Sequence, residues 1–250
     1  MQTQKLLITI VLILGVIFAG CKKESDPPPT DEEILGDVVK PEIIDEYIYP
    51  IQPGTPEWAA FTSHSEMLDA CKLPDPVLQN ISTWGLFATC INYPLYGDYS
   101  AFNHQATWIN DLSHSFNGLS ELFSRADATV VLLYEYLYLD INKNPSFLRR
   151  NYFELVIGCD ASVSKMNKRQ LLYLVAVALE KDKEQREYFY NSHPPYSVFI
   201  MANAMTHAGY KPFIDYCAAQ KDVNLGELIL WGFSATAEKI EEYAKEFVKN

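Results

Sequence analysis

The chain has 250 residues with 32 acidic against 20 basic side chains, a formal charge of −12 at pH 7. That balance excludes a nucleic-acid-binding role, which needs clustered basic residues, and disfavours charge-driven adhesion to anionic bilayers. With 48% hydrophobic residues the chain can fill one sizeable core or two small ones.

Lys5 precedes an uncharged apolar run from Leu6 to Gly20. The run is shorter than the ~20 residues a spanning helix requires and suits the apolar part of a secretory signal. It closes on Phe18-Ala19-Gly20-Cys21. This stretch resembles the lipobox of bacterial lipoproteins, although the family usually has Leu where Phe18 stands. The resemblance implies cleavage before Cys21 and a lipidated thiol there. Small side chains at Ala19 and Gly20 admit the peptidase to the backbone, and only a thiol can carry a thioether-linked diacylglycerol.

Lys22, Lys23, Glu24, Ser25 and Asp26 follow, then Pro27 to Pro29. The charged residues are similar to the surface-export tags of Bacteroidetes lipoproteins. The expected address is the cell envelope, lipid-anchored at the outer membrane, with the face left open. Residues 21–57 read as the lipidated Cys21 and an extended, polar, proline-containing tether. Residues 1–20 are then the signal peptide and 58–250 a single helical domain, with sub-blocks at 58–140 and 141–250.

Helix signals dominate from Trp58 onward. Ser63 and Glu66 match a capping box, and the run ends at Leu73-Pro74. Ser82 starts a helix with Leu86, Phe87, Cys90 and Ile91 on its apolar stripe. Ser100 opens an amphipathic segment to Phe116, closed by Asn117-Gly118, and Leu119 to Arg125 forms a short helix. Asp127 is placed to cap an apolar helix from Ala128 to Leu139. Another begins at Asn144-Pro145. Asn167 caps the longest segment, Lys168 to Tyr190, apolar in its first half and solvated from Glu180 to Glu187. Tyr196–Ala208, Pro212–Gln220 and Leu225–Val248 complete the series. No stretch alternates with period two between hairpin turns. The fold class is therefore all-α: antiparallel helix pairs forming an irregular bundle or a HEAT-like superhelix.

Three stretches carry a second resemblance: Tyr49-Pro50-Ile51-Gln52-Pro53-Gly54-Thr55-Pro56-Glu57-Trp58, Asn92-Tyr93-Pro94-Leu95-Tyr96-Gly97-Asp98 and Phe116-Asn117-Gly118-Leu119-Ser120-Glu121-Leu122. They are similar to an uncharacterised family of exported bacterial helical proteins, over about Glu46 to Glu135. This implies a shared fold and nothing further. Physically these motifs are helix stops and caps. The alternative is that Asn92, Asp98 and Asn117 converge on a polar pocket.

Chemistry is sparse. Asp111 and His114 lie three residues apart on one helical face and could share a metal, with His104 about 15 Å from His114 along the axis. Solvent-facing polar residues are the simpler reading, and no metal or cofactor is expected. His207, on an apolar helix, reads as a satisfied core histidine. Cys71, Cys90, Cys159 and Cys217 sit in apolar helical patterns as core thiols. A disulfide, if one forms, would first join Cys71 to Cys90. Nucleophile elbows, phosphate loops and zinc spacings are absent.

The 16 Tyr, 13 Phe and 4 Trp serve helix packing or form an exposed platform for an envelope protein or glycan. The sequence thus points to a membrane-anchored envelope lipoprotein with a helical binding or scaffolding domain. The alternative is an envelope enzyme, possibly metal-dependent, for which Asp111, His114 and His104 are the available residues.

Overall fold

The computed structural model describes residues 27–140, 147–189, 196–219 and 234–249. Among these the chain forms α-helices and one 3₁₀ segment, Tyr96–Ala101, and no strand. The helices are α1 (Asp31–Leu35), α2 (Pro56–Ala59), α3 (His64–Ala70), α4 (Asp75–Asn80), α5 (Thr83–Ile91), α6 (Gln105–Ser115), α7 (Asn117–Ser124) and α8 (Ala128–Leu137). They continue as α9 (Phe147–Gly158), α10 (Asp160–Val163), α11 (Lys168–Phe189), α12 (Ser197–His207), α13 (Lys211–Ala219) and α14 (Ser234–Phe247). No helix among the described residues is long and apolar enough to cross a membrane. The expected signal and Cys21 lie outside the described residues, as do the starts expected at Asn144-Pro145 and Leu225.

The all-α expectation holds. Helix α12 is apolar nearly all round and is correspondingly buried, packed against α9, α11 and α14. Side chains such as Leu119, Leu122, Val156 and Ile200 are wholly enclosed, each contributing about 1.5–3 kcal/mol by leaving water. One apolar cluster runs from Leu35 to Phe247. The sub-blocks 58–140 and 141–250 share it through Phe87 with Phe153, Tyr93 with Tyr152 and Tyr99 with Tyr196. A solenoid repeat touches only its neighbours. Here α1 reaches α8 and α11, so the described helices close into an irregular bundle.

The residues expected as a tether differ from that reading. Thr30 and Glu33 form a complete capping box on α1. Tyr173 donates to Asp31 at 2.8 Å and Arg169 pairs with Glu33 at 2.7 Å. Leu35 and Tyr49 are core residues. The folded body therefore starts near Thr30 rather than at 58, because this acidic segment also carries the apolar groups that anchor it.

Several local expectations are also adjusted. Ser63 caps α3 by accepting from the Glu66 amide, but the Glu66 carboxylate reaches back to Thr62 instead of Ser63. Asp127 makes no side-chain cap on α8; it accepts from the Thr83 hydroxyl at 2.8 Å. Asn117-Gly118 opens α7 rather than stopping the previous helix. The Asn117 amide grips the Leu73 backbone, accepting at 3.0 Å and donating at 2.8 Å. Gly118 lies where a Cβ would sit 2.5 Å from the Phe116 ring. Lys181, Asp182 and Gln185, read as solvated, are buried. They prolong the stripe Leu174, Val175, Ala178 at helical spacing and meet polar partners across it.

The chain between α1 and α2 is an arm laid along α5. Asp45 accepts from the Ser82 amide at 2.6 Å and hydroxyl at 2.9 Å, Tyr47 N–H donates to Thr89 at 2.9 Å, and Glu46 accepts from Asn92. Gly85 makes room for this contact, since a Cβ there would stand 2.1 Å from the Asp45 carboxylate. Gly85→Ala should push Asp45 off Ser82. Losing charge-assisted bonds costs about 1.5–3 kcal/mol, while the helix gains up to about 1 kcal/mol from alanine. A net loss of about 1–2 kcal/mol in urea titration is expected, with new proteolytic cleavage within residues 38–48. Unchanged stability and an uncut arm would contradict this anchoring.

Candidate functional site

The arm alternates like a lone strand. Asp45, Tyr47 and Tyr49 face α5, while Ile44 and Ile48 point outward at 86% and 66% exposure. Val39, nearer its start, is 81% exposed. Among the described residues no backbone–backbone hydrogen bond involves residues 39–51. Apart from the Tyr47 amide, which donates to Thr89, and the Tyr49 carbonyl, which accepts from Gln52, the arm's main-chain groups have no hydrogen-bond partner among the described residues; Pro41 and Pro50 lack a donor.

An aromatic ladder adjoins the start of the arm. Tyr134 and Tyr138, four residues apart on α8, meet at a tilt of 48° with ring centres 4.6 Å apart, and Trp84 meets Tyr134 edge-on at 5.3 Å. Tyr138 is 61% exposed. Lys40 ties the arm to this ladder, pairing with Glu135 at 2.6 Å and lying 6.0 Å from the Trp84 ring centre. Tyr136, between the two outward tyrosines, turns into the core. Tyr188, Phe189 and Tyr190 have side chains outside the described residues.

The side chains singled out in sequence do not assemble. His104 occupies the position before α6, and Asp111 and His114 are solvent-exposed on it. Among the described residues no group of three His, Cys, Asp or Glu could hold a metal ion. Asn92, Asp98 and Asn117 bond to different partners: Glu46, His64 at 2.8 Å and Leu73. Each ties two segments together, and the three share no hydrogen bond. His207 sits at the bundle rim rather than in the core. Asp160 accepts from it at 3.1 Å, from Asn203 at 3.0 Å and from Asn110 at 3.1 Å, joining α6, α10 and α12.

Cys71 and Cys90 are free thiols, so the disulfide weighed from sequence is not formed. Burial pushes the Cys71 thiol up to about 12, with the Asp98 carboxylate adding to it. Cys90 and Cys159 are also raised by burial. Raised thiols are poor nucleophiles, as expected of core cysteines.

A buried polar cluster was not anticipated. Arg150, Asn151 and Glu154 of α9 face Tyr136 of α8 and Asp182 and Gln185 of α11, all enclosed. Glu154 accepts from Tyr136 at 3.2 Å and Gln185 at 2.8 Å. Asp182 accepts from Arg186 at 2.6 Å and Ser197 at 3.0 Å. Burial pushes the Glu154 carboxyl up to about 7, against the pull of Arg150, Gln185 and Tyr136. The cluster joins α8, α9, α11 and α12, and Glu154 Oε2 and Gln185 Oε1 find no hydrogen-bond partner among the described residues. The chain matches no family model, no curated protein and no solved structure.

Proposed function

We propose that this protein is a lipid-anchored envelope protein whose helical domain docks a partner protein along the 38–48 arm. The observation that carries the reading is the joint presentation of the open-edged arm and the Trp84–Tyr134–Tyr138 ladder. An extended peptide beside such an arm gains main-chain hydrogen bonds, and adjoining apolar groups supply selectivity. Trp and Tyr provide contact area with few rotors to immobilise. The aliphatic side chains Val39, Ile44 and Ile48 favour a protein partner, since a sugar face offers them little apolar surface.

The lipid address comes from the sequence at Cys21 and sets where the partner is met. The enzyme alternative draws no support from geometry, because its candidate residues are not brought together.

A photoreactive benzophenone amino acid at Ile44, in the full-length lipidated chain in intact cells, should give a discrete protein adduct. The same probe at Lys211, outside the arm and ladder, should give none. Trp84→Ala with Tyr138→Ala should remove most of the Ile44 adduct, since central aromatic anchors are worth about 2 kcal/mol or more each. Equal labelling from both positions, or an adduct indifferent to the aromatic substitutions, would refute the docking surface. Labelled polysaccharide without a protein adduct would make the partner a glycan and refute the protein assignment.

A further inference from the structure

A second, independent site lies at the other end of α8. Asp127 occupies the position before the helix, where a carboxylate ordinarily accepts from the first-turn amides. Here it is turned away to the Thr83 hydroxyl. Its main-chain carbonyl serves the Val130 and Val131 amides, and Ala128 N–H donates to Arg125. The Thr129 amide meets no acceptor among the described residues. An orphan donor at a helix N-terminus carries the positive end of the helix dipole.

That terminus opens onto a cleft of about 200 Å³. Ser162 lines it, itself 2% exposed. Its hydroxyl has no hydrogen-bond partner among the described residues, although buried hydroxyls are normally satisfied. Lys165 follows on the same wall, its amide donating to the Ser162 carbonyl at 3.1 Å, and its side chain reaches solvent. Arg125 also lines the cleft, but Glu121 offsets it at 3.0 Å and its guanidinium donates to Ile81 and Leu78 carbonyls. Lys165 is therefore the lining cation without an ion pair among the described residues. Phe123 and Leu132 complete an apolar wall.

We propose that this cleft binds a small carboxylate anion with a short apolar tail. One carboxylate oxygen takes the Thr129 amide and Ser162 hydroxyl, and the other meets the Lys165 ammonium. The tail lies against Phe123 and Leu132. The lining contains no acidic residue, in a chain whose net charge is −12, so the local polarity runs opposite to the whole. Helix termini that combine free amides with a nearby cation are suited to anions, and the apolar wall distinguishes a carboxylate tail from a bare oxyanion.

The test uses the full-length ¹⁵N-labelled chain in detergent, titrated separately with butyrate, acetate and inorganic phosphate. Butyrate should shift the Thr129 amide saturably, with acetate and phosphate both weaker. Lys165→Gln, at an exposed position that leaves the fold intact, should weaken butyrate about tenfold, and Lys165→Arg should restore most of it. Ser162→Ala should weaken it without moving the arm resonances. An unmoved Thr129 amide, phosphate binding as tightly as butyrate, or unchanged affinity in Lys165→Gln would each overturn the assignment.

Discussion

Between pH 4.5 and 7 the stability of this protein should fall as pH rises, and Glu154→Gln should remove most of that slope. Burial raises the Glu154 carboxyl from its ordinary 4.5 to about 7. The folded state then holds the proton more tightly than the unfolded state. The contribution is fully present below the unfolded value and is lost as pH passes through the folded one. A shift of this size corresponds to about 3 kcal/mol. The groups facing Glu154 are Arg150 on its own helix, Tyr136 on α8, and Asp182 and Gln185 on α11.

Asp182 is also raised by burial, against its bond to Arg186, and adds slope of the same sign. Glu33 and Glu66 are exposed and lowered by hydrogen bonds from Thr30 and Thr62. Their contributions are lost below the ordinary carboxylate range, outside this window. Urea midpoints at pH 5 and pH 7.5 for the parent and Glu154→Gln provide the measurement. Equal slopes in both would mean that Glu154 does not govern the effect. Glu154→Leu, which leaves the Tyr136 hydroxyl and the Gln185 amide without their acceptor, should cost about 1–3 kcal/mol for each orphaned group.

The helices were legible because their stripes repeat at helical spacing: Leu86, Phe87 and Cys90 on α5, or Leu171, Leu174, Val175 and Ala178 on α11, are all buried. The polar extension of the α11 stripe was not legible. Lys181, Asp182 and Gln185 look solvated until the partners that satisfy them, the Leu139 carbonyl, Ser197 and Glu154, are placed opposite. The arm was missed for a related reason. Ile43 to Ile51 is rich in β-branched and aromatic residues, but Asp45 faces inward and Ile44 and Ile48 outward, which hides the alternation. Trp84 joins Tyr134 and Tyr138 only through packing of α5 on α8. The cleft at Ser162 left no motif, because its donors come from separate elements: a helix start, a short helix and the loop behind it.

Attachment should be the largest single-residue effect. Each buried methylene of an acyl chain contributes about 0.8 kcal/mol, so one chain holds a protein marginally and two or more hold it stably. No helix among the described residues substitutes for that anchor. Cys21→Ser should therefore move the protein from the membrane fraction to the soluble envelope fraction or leave it as uncleaved precursor.

The reading of this protein as a partner-docking domain at a bilayer surface rests on acyl groups at residue 21, and mass spectrometry of the purified mature N-terminal peptide reads them directly. The expected peptide begins at Cys21 with its sulfur diacylglyceryl-modified. A mature chain that begins elsewhere, or an unmodified Cys21, would contradict the account.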